Sequence, residues 1–152
     1  MAEAIQKKRI LFVCIHNSAR SQMAEAWTSD LCGKFFEAES AGLEPGTLNP
    51  LAVQVMTEAG IDISGKKTRA VSDVLNSTKR FDYVVTVCDE SSAEKCPIVA
   101  GATTRLHWNF PDPSTVTGTP ETKLEQVRKI RDAIKKKIEE WCAEVCAQPA
   151  KL

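Results

Sequence analysis

Cys14-Ile15-His16-Asn17-Ser18-Ala19-Arg20-Ser21 follows the apolar run Ile10-Leu11-Phe12-Val13 and precedes a helical pattern that begins near Ser21. A cysteine at a strand's end, a short polar loop and an arginine entering a helix describe an anion site with a nucleophile inside it. Backbone N–H groups at a helix N-terminus have no intrahelical partner and carry partial positive charge, so they attract oxyanions. The same field favours a thiolate, the reactive form, over a thiol. Asn17, Ser18 and Ser21 line the turn: asparagine can brace a strained loop, and hydroxyls can donate to a thiolate. Arg20 offers a planar fork suited to two oxygens of a tetrahedral oxyanion. On residue types alone, the competing reading is a buried packing cysteine and a surface arginine.

Outward from this loop, the chain alternates strands with helices. Arg9–Val13 reads as a buried strand, and Met23, Ala24, Trp27 and Leu31 give the segment from Ser21 to Leu31 a helical apolar face, stopped by Gly33. Phe35–Ala41 is a second strand, ending at Gly42, and Glu44-Pro45-Gly46 a turn. Asn49 caps a helix with Pro50 in its first position and Gly60 as its stop. Ser72-Asp73 caps a short helix around Val74-Leu75. Phe81–Val87 is the most strand-like run and ends directly on Cys88; its β-branched continuity suits a strand covered on both faces. The segment from Asp89 to Lys95 is polar, a short helix or a loop, closed by Cys96-Pro97. Thr104–Trp108 is the last strand, Asn109 to Pro113 a rigid turn, and Thr119-Pro120 starts a long helix ending at Gln148-Pro149.

This alternation implies an α/β fold: a mostly parallel sheet with helices on both faces, and ligands at the carboxyl ends of the strands. Cys14, Cys88 and Asp112 then fall on one sheet edge. The 152 residues suit one domain, 1–152. Twenty basic and twenty acidic residues cancel, so no global field draws the chain to nucleic acid or membrane. The N-terminal stretch lacks a signal peptide's pattern, and a cytoplasmic location is expected. Six cysteines in such a chain are not expected to form a structural disulfide framework, and the short paired spacings of zinc ribbons are missing, so no metal site is expected. Cys32, Cys142 and Cys146 read as packing or partly exposed helix thiols. His16 can tune Cys14 or face solvent, and His107 reads as structural.

Val13 to Ala26 resembles the phosphate-binding loop and first helix of the low-molecular-weight protein tyrosine phosphatase superfamily. Within it, the chain is most similar to the thioredoxin-coupled arsenate reductases. Ser40-Ala41-Gly42, Asn49-Pro50, Ile61-Asp62-Ile63-Ser64, Val85-Thr86-Val87-Cys88, Cys96-Pro97, His107-Trp108 and Asp112-Pro113 carry the resemblance along nearly the whole chain.

The resemblance implies a three-layer αβα fold with a four-stranded parallel sheet. It implies arsenate, or a phosphate-like oxyanion, held by the loop Ile15, His16, Asn17, Ser18, Ala19, Arg20 and Ser21. Cys14 would attack arsenic, and Asp112 would protonate the departing oxygen. An aspartate that donates must hold its proton, which desolvation beneath Trp108 or Phe110 would favour; the plainer reading of Asp112 is an Asp-Pro turn. Cys88 would take over the adduct, forming a Cys14–Cys88 disulfide, and Cys96 would carry the disulfide to reduced thioredoxin. The plainer reading of Cys88 and Cys96 is two unrelated buried thiols. No tightly bound cofactor is implied, and a monomer is expected. Some members hold a potassium ion beside the loop, and Asn17, Glu25 and Ser40 match part of that site; the basic run Gly65-Lys66-Lys67-Thr68-Arg69 argues against a cation here. A low-molecular-weight phosphatase is the nearest rival, but Ser114-Thr115 follow Asp-Pro where those enzymes carry an aromatic wall. A non-catalytic, redox-switched anion-binding module is the third reading.

Overall fold

The computed structural model describes residues 7–75, 80–88 and 102–147. Strands β1 (Lys8–Cys14), β2 (Phe36–Gly42), β3 (Phe81–Cys88) and β4 (Ala102–Asn109) form one all-parallel sheet in the order β2-β1-β3-β4. Helices are α1 (Arg20–Cys32), α2 (Pro50–Glu58), α3 (Val71–Leu75) and α4 (Pro120–Ala147), with a 3₁₀ turn at Pro113–Thr115. Strand order reverses at β1, which has β2 on one side and β3 on the other, so the crevice at the switch point opens beside Cys14.

Strand periodicity explains the layers. Ile10 and Phe12 face the larger core with α1, α2 and α4, whereas Leu11 and Val13 face a smaller core with Val71 and Val74 around α3. The middle strand is buried on both faces, as its apolar run requires; Ile10, Leu11 and Phe12 are fully enclosed, each worth about 1.5–3 kcal/mol relative to exposure. Trp141 fixes α4 on the sheet through ring contacts with Phe36, Tyr83 and Trp108 at 4.8, 5.2 and 5.8 Å between centroids.

Element ends follow their caps. Asn49 accepts from the Leu51 amide at 2.8 Å, Pro50 opens α2, and Gly60 leaves it at φ +87°. Thr119 accepts from the Thr122 amide at 3.2 Å to cap α4. β4 begins at Ala102, two residues before the expected Thr104, because pairing with β3 runs from Phe81 opposite Ala102. The expected segment between Cys88 and Pro97, including Cys96, lies outside the described residues.

The cysteine reading needs one correction. Cys32 at the end of α1 and Cys142 on α4 form a disulfide, 110 residues apart with Cα atoms at 6.6 Å. Packing of α1 on α4 brings them together, and no local spacing announces it. Closing so long a loop restricts the unfolded chain by about 4–5 kcal/mol in the chain-entropy model. The expected result is that Cys32→Ser/Cys142→Ser unfolds roughly 10 °C or more below the oxidised wild type, read by thermal denaturation. A wild-type midpoint unmoved by dithiothreitol would show that the bond contributes nothing.

Candidate active site

The loop after β1 is shaped by the segment after β2. Leu43, Glu44, Gly46 and Asn49 donate their amides to the carbonyls of Cys14, Ile15, His16 and Ser18, at 3.2, 2.8, 3.0 and 2.8 Å. In a trans peptide unit the N–H points opposite to the C=O. The N–H groups of Ile15, His16, Asn17 and Ala19 therefore turn to the other side of the loop, and that of Asn17 meets Cys14 Sγ at 3.1 Å. Such a nest of inward amides is an anion cradle. Gly42 makes the close approach possible: a Cβ there would sit 2.7 Å from the Asn17 nitrogen and 2.8 Å from the Ile15 oxygen. The helix that follows adds its own field, since Ala19 at the N-cap makes no side-chain cap and leaves the first-turn amides to another acceptor.

Asn17 is the keystone. It is fully buried and holds φ +53°, the left-handed region that asparagine tolerates better than most residues. Its Oδ1 accepts from the Arg69 amide at 3.0 Å and from Gln22 Nε2 at 3.1 Å. Because a backbone N–H can only donate, this contact fixes the amide's orientation and turns Nδ2 toward Ser21 Oγ at 2.7 Å. Ser21 Oγ, receiving that hydrogen, has its own proton free for Cys14 Sγ at 2.9 Å. The sulfur thus faces a hydroxyl and an amide, both arranged to stabilise a thiolate.

Arg20 is buried, with Nη1 donating to the Phe110 carbonyl at 3.2 Å and Nη2 3.7 Å from Asp112 Oδ2. Asp112 caps the turn that follows it and also faces Arg20. Its Oδ1 accepts from the Ser114 amide and hydroxyl at 2.9 and 2.8 Å, capping the 3₁₀ turn, while Oδ2 faces Arg20. Trp108 packs on Phe12 and Trp141 in the main core. His16 is exposed at the loop's rim and its Nδ1 donates to the Glu44 carbonyl at 2.9 Å. His107 pairs with Thr86 Oγ1 at 2.9 Å.

Cys14, Arg20 and Asp112 are therefore assembled in one place. Cys88 ends β3, in register with Asn109 of β4 and at the same sheet edge as Cys14; Cys96 is outside the described residues. What the sequence did not announce is the role of residues 66–69. Gln22 reaches the Lys67 carbonyl at 3.2 Å, the Arg69 amide anchors Asn17, and Lys66 Nζ forms an ion pair with Glu25. A basic run carries no local mark of such lacing. Among the described residues, no group of three or more His, Cys, Asp or Glu side chains is placed to hold a metal, and no helix is long and apolar enough to cross a membrane.

The model of the low molecular weight phosphotyrosine protein phosphatase family matches residues 9–151. The chain belongs to this family. An arsenate reductase of Bacillus subtilis is 41% identical over 138 residues, covering 90% of this chain and 96% of the relative. A solved arsenate reductase in the phosphate binding state superposes with a TM-score of 0.71 at 29% identity, covering 90% of this chain and 98% of that one. A thioredoxin-dependent arsenate reductase of Corynebacterium glutamicum superposes with a TM-score of 0.58 at 27% identity, covering 90% of this chain and 64% of that one. The fold expected from the alternating elements is the family's fold.

Proposed function

We propose that the chain reduces arsenate to arsenite and is regenerated by thioredoxin. The observation that carries the reading is the thiol of Cys14 facing the Asn17 amide and the Ser21 hydroxyl, with Arg20 and Asp112 beside it. That arrangement suits attack on a tetrahedral oxyanion, and the 41% identity to an arsenate reductase supports arsenic as the centre attacked.

In the proposed sequence, the Cys14 thiolate bonds to arsenic and an arsenate oxygen leaves as water with a proton from Asp112. The loop amides and Arg20 hold the remaining oxygens. The Cys88 thiolate then attacks the Cys14 sulfur. The S–As bond breaks, its electron pair stays on arsenic, and arsenite departs from a Cys14–Cys88 disulfide. Cys96 attacks Cys88 and frees Cys14, and the dithiol of thioredoxin reduces the Cys88–Cys96 bond. β1 and β3 are neighbours ending on Cys14 and Cys88, which supports the first exchange. Phosphate has arsenate's shape and charge, so slow aryl phosphate hydrolysis is expected; the residues after Asp112-Pro113 are Ser114 and Thr115, which offer a tyrosyl ring no wall.

The test couples purified protein to thioredoxin, thioredoxin reductase and NADPH, with an aryl phosphate control. Arsenate-dependent NADPH oxidation is expected, and Cys88→Ser should oxidise no NADPH above background, because its arsenic adduct has no thiol exit and no disulfide forms. Rapid aryl phosphate hydrolysis without arsenate reduction would instead make the protein a phosphatase. Reaction with neither substrate would leave a binding module.

A further inference from the structure

The residues that match part of a potassium site do not fit a metal cation in this chain. Asn17 Oδ1 already accepts from two donors, the Arg69 amide and Gln22 Nε2, which fills its two lone pairs. Glu25 Oε1 accepts from Ser40 Oγ at 2.8 Å, and Glu25 Oε2 holds the Lys66 ammonium. The positive charge beside the loop is thus supplied by the chain. We propose that the Lys66 ammonium is the resident cation of this site, a positioning residue that makes the oxyanion loop independent of potassium. The proposal rests on the reading of the loop as an oxyanion site.

The coupling runs through short connections. Glu25 lies on α1 four residues after Ser21, so both share one helix face. Lys66 pins residues 66–69 to that face, and the same segment offers the Lys67 carbonyl to Gln22 and the Arg69 amide to Asn17. Asn17 orients Ser21 Oγ, which meets Cys14 Sγ. Arg69 closes the network on β2, with Nη1 on Glu39 and Nη2 on the Ser40 carbonyl, both at 3.1 Å. Burial, and then the neighbouring Arg69 guanidinium, pull the Lys66 pKa below its ordinary value, as expected for a cation drawn partly out of water. Glu25 has a side chain only 12% exposed, so truncating Lys66 would strand a largely buried carboxylate. A cavity of about 360 Å³ bordered by Gln22, Glu25, Glu39, Lys66 and Arg69 gives a dissolved cation access to it.

The test compares wild type, Lys66→Ala and Lys66→Arg in potassium chloride and in choline chloride at equal ionic strength. Its readouts are the melting temperature and the affinity for inorganic phosphate. Wild type and Lys66→Arg should behave alike in both salts. Lys66→Ala should bind phosphate about five- to tenfold more weakly in choline and recover in potassium, with a potassium-specific rise in melting temperature. A simple packing role would show no such rescue. The proposal is overturned if wild type itself needs potassium, if Lys66→Ala matches wild type in choline, or if its loss is not restored by potassium. Failure of every variant to bind phosphate would overturn the oxyanion reading instead, and the melting temperatures would still decide the cation.

Discussion

Cys14→Ser is expected to lower arsenate turnover by about 10⁴-fold or more while the fold and phosphate binding persist. Serine is nearly the same shape, and its oxygen would still face the Asn17 amide and the Ser21 hydroxyl. Those donors stabilise an anion once formed, but a hydroxyl holds its proton far more tightly than a thiol. Among the described residues the groups that meet this position are the Asn17 amide and the Ser21 hydroxyl, which donate and are not bases. Oxygen also cannot form the disulfide that lets arsenic keep the electron pair, so even a slow ester would have no reductive exit. Steady-state NADPH oxidation, circular dichroism and phosphate titration together check this. Turnover above about 1% of wild type, with phosphate bound as before, would mean that another thiol attacks arsenate.

The outline of the fold was legible because each local signal agreed with its neighbours. A buried run ending on Cys14, the Asn49-Pro50 start and the apolar repeat of α4 all belong to pattern and cap chemistry, which act within a few residues. Residue types also announced Cys14, Arg20 and Ser21, since their chemistry is local to one turn. What escaped is long-range. Cys32 and Cys142 read as separate thiols until two helices pack and make them a disulfide. The Arg69 amide is a backbone group, the same in any sequence, yet it sets the orientation of Asn17 from 52 positions away. Lys66 counted only as one charge of a basic run that argues against a bound cation, and its pairing with Glu25 depends on how residues 66–69 fold over α1. Asp112 reads as an Asp-Pro turn from its neighbours alone, and only the fold brings its second oxygen to face Arg20.

Arg20→Lys keeps the charge and removes the fork, and the expected loss in kcat/KM for arsenate is about 10²–10³-fold. The guanidinium is 5% exposed as a side chain, so none of its donors can be replaced by water without opening the core. One N–H is spent on the Phe110 carbonyl, and this bond ties α1 to the chain leading from β4 to Asp112. Nη2 faces Asp112, and the planar fork has the geometry to meet two oxygens of a bound oxyanion. An ammonium is a single point: aimed at the oxyanion it abandons the Phe110 carbonyl, and aimed at the carbonyl it abandons the oxyanion. Either way a buried polar group goes unpaired, at about 1–3 kcal/mol. Asp112 should share in the loss, because Arg20 helps to hold the carboxyl where a leaving oxygen would need its proton. Asp112→Asn alone is expected to cost about 10²-fold. The double variant should fall short of the product of the two losses by a coupling of about 1 kcal/mol or more. Strict additivity would mean that Arg20 and Asp112 act separately. An Arg20→Lys variant within about fivefold of wild type would show that charge alone holds the oxyanion and that the fork is dispensable.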